Sequence, residues 1–205
     1  FENEIDVGSG NLTLDVAGDI ILDADGGDVI FKDGGASRGS LKAGTNAAFE
    51  LKSLENNADF VIKGIDNNAE ITALTFDMSA AGAATFNSNV GIGVIPEAWH
   101  SVFKVLQMGT GSSISAESGG TSTWFNTNAY YDGSWKYVNA NTASQIAHTS
   151  DGKQQFKVAA SGSADAAISW NTAMTIANSG NLYTTDRIHM GTGLSDARLT
   201  MSNQG

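Results

Sequence analysis

Residues 10–35 read GNLTLDVAGDIILDADGGDVIFKDGG, and the spacing within this stretch decides the fold. Glycines fall at 10, 18, 26 and 34. Between them apolar and polar side chains alternate: Leu12, Leu14 and Val16, then Ile20, Leu22 and Ala24, then Val29 and Phe31. Asn11, Asp19 and Asp28 each open a run. Period-two alternation is the mark of a strand with one buried face. Gly, Asn and Asp between runs supply the tight turns that fold one strand back beside the next. A strand of about six residues cannot bury its apolar side alone, so stacked copies or neighbouring chains must close the core. Three such rungs are too few for one chain, and they make sense if several chains supply them together. A fibrous or solenoidal β element is expected.

Composition supports an all-β chain. Of 205 residues, 24 are Gly and 1 is Pro, so turns rest on Gly, Asn and Asp. Acidic residues number 22 against 11 basic, a formal net charge of −11. Phosphate recognition needs concentrated Lys and Arg, so nucleic acid is not an expected partner. An anionic membrane surface is disfavoured for the same reason, and no apolar run reaches the roughly 18 residues that span a bilayer. Without cysteine there is neither a disulfide framework nor a thiolate metal site.

Along the chain, residues 5–7 read as a short lead-in strand, and residues 34–44 (GGASRGSLKAG) read as a loop. Strands follow at 49–51, 59–63, 71–76 and 83–86, with Asn/Asp turns at 56–57 and 66–68. The segment NVGIGVIP at 89–96 breaks the pattern; a single helical turn is expected over 96–101, then a strand over 102–108, with a helix as the alternative because Trp99, Val102, Phe103 and Leu106 match its spacing. Residues 109–180 hold three of the four Trp and three of the four Tyr. Here NAYYDGSWKYVN (128–139) predicts a hairpin turning at Asp132-Gly133, and further strands are expected at 154–158, 166–170 and 174–176. The last segment contains RIHMGTGLSDARLTM, which lines up loosely with NVGIGVIPEAWHSVFKV about a hundred residues earlier. Three regions are expected: a repetitive β shaft at 1–95, an aromatic-rich β module at 96–180, and the start of a second shaft segment at 181–205.

The stretches SGNLTLDVAGDIILDADGGDVIFKDGG, ALTFDMSAAGAATFNSNVGIG, NAYYDGSWKYVN and IANSGNLYTTDRIHMGTG resemble segments of bacteriophage tail fibres and related tail proteins, those of marine and cyanobacterial phages most of all. The resemblance covers most of the chain. It implies an elongated homotrimeric β-fibre, a triple-stranded β-helix or β-prism-like shaft, carrying a small β-sandwich-like module. It also implies a place in the virion and contacts with other tail or baseplate proteins. The role it implies is structural, that of linking the tail to a host-recognition tip. Many such proteins continue, after a "GNVGIGT…P…L.V" segment, into a self-cleaving chaperone. The second such segment here lacks the proline, so no cleavage residue is carried over.

Candidate sites are few. Asp23, Asp25 and Asp28 invite a calcium reading, but the fifth and sixth positions of an EF-hand loop would be Gly27 and Asp28, and the calcium β-roll nonapeptide is not met. Solvated turn carboxylates are the plainer reading, although stacked copies would concentrate their charge. Trp124, Phe125, Tyr130, Tyr131, Trp135 and Tyr137 suit a module core, a sugar platform or an interchain contact. Tyr131 and Trp135 flank the turn and are the candidates for contact with a glycan or partner. His100, His148 and His189 are far apart in sequence, and no metal or other cofactor is expected. Metalloprotease and phosphate-loop motifs are missing, and the chain is read as non-enzymatic. The alternatives are a polysaccharide-degrading tailspike, which needs paired carboxylates in a groove, and a bacterial surface adhesin.

Overall fold

A computed structural model of the chain describes residues 5, 7–23, 28–43 and 49–185. The described residues form sixteen strands in four sheets, with no helix among them. The chain divides into an N-terminal unit, Phe1–Thr85, and a C-terminal unit, Phe86–Gly205.

In the N-terminal unit, β1 (Asp28–Asp33), β2 (Ala36–Ala43) and β3 (Phe49–Ser53) make one antiparallel sheet. A second sheet is built from β4 (Phe60–Asp66), β5 (Ala69–Asp77) and β6 (Ala83–Phe86), in that order. The expected strands from residue 49 to 86 are all present. So is the Asn turn between β4 and β5, where Asn67 and Asn68 take φ values of 48° and 63°. Two successive left-handed residues match the right-handed twist of the flanking strands, and Asn tolerates that conformation better than most side chains.

Three expectations for this unit are corrected. Of the opening rungs, only the third forms a strand, β1; Leu12–Val16 and Ile20–Asp23 are in no sheet, and residue 24 lies outside the described residues. Neither Ile5 nor Val7 is in a strand. The stretch expected as a loop at 34–44 contributes β2, the central strand of its sheet, after a Gly34-Gly35 turn; Gly44 lies outside the described residues. Small residues such as Ala36, Ser37 and Ser40 hide a strand from propensity, yet they pair in register with β1 and β3.

The C-terminal unit is dominated by one eight-stranded sheet. Its strands are β7 (Val90–Ile92), β8 (Phe103–Met108), β9 (Ser112–Glu117) and β10 (Thr123–Thr127). After a detour through the hairpin β11 (Ala129–Tyr131) and β12 (Trp135–Tyr137), it resumes with β13 (Asn141–His148), β14 (Gln154–Gly162), β15 (Asn171–Ile176) and β16 (Leu182–Thr184). The order is β16-β15-β14-β13-β10-β9-β8-β7, antiparallel throughout except the short parallel pairing of β7 with β8. The hairpin turns at Asp132-Gly133 as the sequence predicts. It packs on one face of the sheet, so the second layer of this module is a hairpin with its flanking loops.

Two further expectations are corrected. Residues 96–101 form no helical turn: 96–100 are irregular, Ser101 enters a turn closed by the Phe103 amide on the His100 carbonyl, and the Trp99 indole N–H donates to Gln107 Oε1 at 3.0 Å, which fixes the segment against the sheet. The expected strand at 166–170 is reduced to a single bridge, Lys136 to Ala167, because that segment crosses the hairpin rather than joining the sheet. Of the expected second shaft segment, β16 is described and 186–205 lie outside the described residues. Gly91 in the NVGIGVIP segment is required sterically: a Cβ there would sit 2.1 Å from the Val94 carbonyl oxygen.

Candidate functional site

The eight-stranded sheet has two faces of opposite character. On the covered face, Phe103, Val105 and Trp124 meet Trp99, Tyr130, Tyr131 and Trp135. Ring centroids lie 5.0 Å apart for Phe103–Trp124 and 5.2 Å for Phe103–Tyr131, both edge-to-face. This is the arrangement in which the positive edge of one ring meets the negative face of another. Alongside, Ala129, Tyr137, Ala143 and Ala159 pack with Ile168 and Trp170. Gly162 lets Tyr137 approach, since a Cβ would fall 2.2 Å from its ring, and the Tyr137 hydroxyl donates to the Ala160 carbonyl at 2.6 Å.

Beside these rings the covered face carries a polar row. Gln107, Ser113, Asn126 and Gln145 are cross-strand neighbours in register, and all four are buried. Asn126 Nδ2 donates to Ser113 Oγ at 3.1 Å and Ser115 Oγ at 3.0 Å, while Gln145 Nε2 donates to Asn126 Oδ1 at 2.8 Å. Gln107 Oε1 accepts from the Glu97 amide and the Trp99 indole. Such a row fixes register, because sliding a strand would leave its amides without partners. The next residue along it, Lys157, has its pKa lowered by burial.

The opposite face carries an apolar row. Val90 pairs with Leu106, Leu106 with Ile114, and Ile114 with Phe125. Phe125 then pairs with Ile146, Ile146 with Phe156, and Phe156 with Met174. Directly opposed residues in a ladder share a face. One continuous apolar stripe therefore crosses seven strands. Nothing else among the described residues of the C-terminal unit covers it: Phe125 is 45% and Val158, in the neighbouring row, 47% exposed. The surface dips here into a groove of about 450 Å³ lined by Ile114, Phe125, Ile146, Phe156 and Val158 among others. No carboxylate is among its lining residues.

The residues singled out from sequence fall elsewhere. Tyr131 and Trp135 are on the covered face, each half-buried. Trp135 lies within 6.3 Å, centroid to centroid, of Trp99, Phe103, Trp124, Tyr131 and Trp170, so its ring organises the cluster. Tyr131 also meets His100 edge-on at 6.0 Å. His148 is on the open face beside Phe125, and His189 lies outside the described residues. Asp28 sits 3.5 Å from Lys42 Nζ, and Asp25 lies outside the described residues. Among the described residues no three His, Asp or Glu side chains gather as a metal site. Sequence reasoning misses the open-face stripe, though its register partners all stand in the sequence.

Ionisable groups on the covered side serve the hairpin. Tyr130 donates to Asp165 Oδ1 at 2.7 Å; burial first, then that carboxylate, pushes its pKa well above the usual phenol value. A hydrogen bond from Lys136 holds Asp132 below the ordinary carboxylate value and ties the two strands across the turn. No protein-family model matches the chain, and no curated protein matches it.

Proposed function

We propose that the chain is a structural segment of a bacteriophage tail fibre, a homotrimeric and mostly β shaft that links the virion tail to a host-recognition tip. One observation carries the oligomeric part of this reading. Among the described residues of the N-terminal unit no apolar side chain is buried; only Ser40 is. Ile30, Phe31, Phe49, Leu51, Ile62 and Ile65 all stand exposed, Phe49 at 78% and Ile65 at 72%. Isolated three-stranded sheets need a hydrophobic face packed on something to persist. Burying six such side chains contributes roughly 10 kcal/mol, as much as the net stability of a typical domain. Copies of the same chain supply that surface at no cost in new sequence. The number three, the virion setting and the tail, baseplate and host-glycan partners rest on the resemblance of SGNLTLDVAGDIILDADGGDVIFKDGG and its companion segments to phage tail fibres. In this reading the product is spacing and presentation, with stiffness from interchain burial.

Solution mass by light scattering tests it, together with electrophoresis in detergent before and after boiling. Three chain masses under native conditions, collapsing to one on boiling, are expected. A single chain mass at micromolar concentration overturns the reading.

A further inference from the structure

The apolar stripe on the open face of the eight-stranded sheet is flanked by two rows with a shared property. One runs through Met108, Thr127, Ser144 and Val158, the other through Lys104, Thr123, His148 and Ile176. None of the three rows carries Asp or Glu, in a chain with 22 acidic residues and a net charge of −11. Two chains of like charge repel wherever carboxylates face each other, and an acid-free apolar face is where they can meet at least electrostatic cost. A basic protein or a cation would favour the carboxylates found elsewhere on the surface, and a phosphate polymer would favour clustered Lys and Arg. Size agrees as well. Eight strands about 4.8 Å apart span roughly 34 Å, and three rows of side chains cover about 20 Å along the strands. That gives on the order of 700 Å² per chain, close to the roughly 800 Å² per partner of a standard stable interface.

We propose that this open face is the surface against which other copies of the same chain seat, with Phe125, Ile146 and Phe156 at its centre. The assignment rests on the oligomeric reading above and adds a second surface, in the C-terminal unit, to the exposed apolar side chains of the N-terminal one. Side chains from facing sheets interdigitate at about 10 Å separation, and the flanking Ser, Thr and Asn residues form the rim.

The test uses the full chain carrying Phe125→Asp or Ile146→Lys, with Ile95→Asp as control. Ile95 is 89% exposed and lies off this face. The two face variants are expected to shift at least tenfold in the concentration at which the assembly dissociates, while Ile95→Asp leaves it unchanged. Tryptophan emission from the aromatic cluster on the opposite face checks that the sheet is still folded. A readout that needs no disruptive change comes from single cysteines, since the chain has none of its own. Ser144→Cys on the face is expected to react with a small thiol reagent at least tenfold more slowly than Ser134→Cys at the hairpin turn. An oligomeric wild type whose face variants keep the same mass, or whose Ser144→Cys reacts as fast as Ser134→Cys, overturns this assignment and leaves the oligomeric reading standing. A second, different protein bound in fixed ratio at this face also overturns it. A wild type of one chain mass overturns both.

Discussion

The N-terminal and C-terminal units hold similar stocks of apolar side chains in opposite ways. In the C-terminal unit, rings from β8, β10, β11 and β12 close on one another and bury Trp99, Phe103 and Tyr130 within a single chain. In the N-terminal unit, β1 to β6 pair their backbones but turn Phe31, Phe49 and Ile65 outward. Backbone pairing is satisfied in both; a buried aromatic core forms in one, on the covered face of its sheet. Ladder hydrogen bonds set geometry at modest net gain, whereas apolar burial decides whether a sheet persists. The difference separates a unit that carries its own core from one in which no apolar side chain is buried among the described residues.

Point substitutions sharpen this contrast. The largest effect is expected from Phe103→Ala, which removes the ring that touches Trp99, Trp124, Tyr131 and Trp135. A loss of about 3–5 kcal/mol follows, read by urea unfolding of the C-terminal unit. Phe49→Ala, an equal truncation in the N-terminal unit, is expected to leave a dissociated chain unchanged and to weaken only the assembled form. If both cost the same in a dissociated chain, the contrast fails.

Next in size is Gln107→Ala. It orphans the Trp99 indole N–H and the Glu97 amide, and should cost about 1–3 kcal/mol. Tyr130→Phe then removes one hydrogen bond to Asp165, for about 1 kcal/mol. The same residue gives an alkaline signature. Its folded pKa is raised, so its contribution is whole below the unfolded value of 10.0 and declines as pH climbs above it, where the unfolded chain ionises first. Wild type should lose stability above about pH 10 faster than Tyr130→Phe, measured by thermal melts across pH.

The smallest effect belongs to Asp132→Asn. The Lys136 partner lowers the folded pKa of Asp132, so its contribution is present above the unfolded value of 3.8 and vanishes as pH falls through the folded one. The difference in melting temperature should therefore begin to shrink as pH falls below 3.8 and close only below the folded pKa. The pair is near the surface, so the difference at neutral pH is slight.

How much of this was legible follows from which face each strand buries. Strand β8 and the β11–β12 hairpin showed themselves because Phe103, Val105, Tyr130 and Trp135 are apolar and regularly spaced. The three central strands β9, β10 and β13 did not, since their buried positions are the polar Ser113, Ser115, Asn126 and Gln145 and the small Ala143 and Ala147. With polar or small residues inside and Ile114, Phe125 and Ile146 outside, the usual alternation is inverted and reads as loop. The opening rungs failed in the other direction. Alternation at Leu12, Leu14 and Val16 tells which side seeks burial, not which surface receives it. For the site, closeness to a turn gave no side-chain direction, and Trp135 leans into the cluster. The apolar stripe needed register, which only the paired strands supply.

The central claim is that the N-terminal sheets gain their core from other copies while the C-terminal aromatic core is self-contained. Amide hydrogen exchange, followed across dilution through the dissociation of the assembly, measures this directly. Protection in β1–β5 is expected to fall by at least a hundredfold on dissociation while β8, β10 and β13 keep theirs. Equal and persistent protection of β1–β5 in the single chain would contradict it.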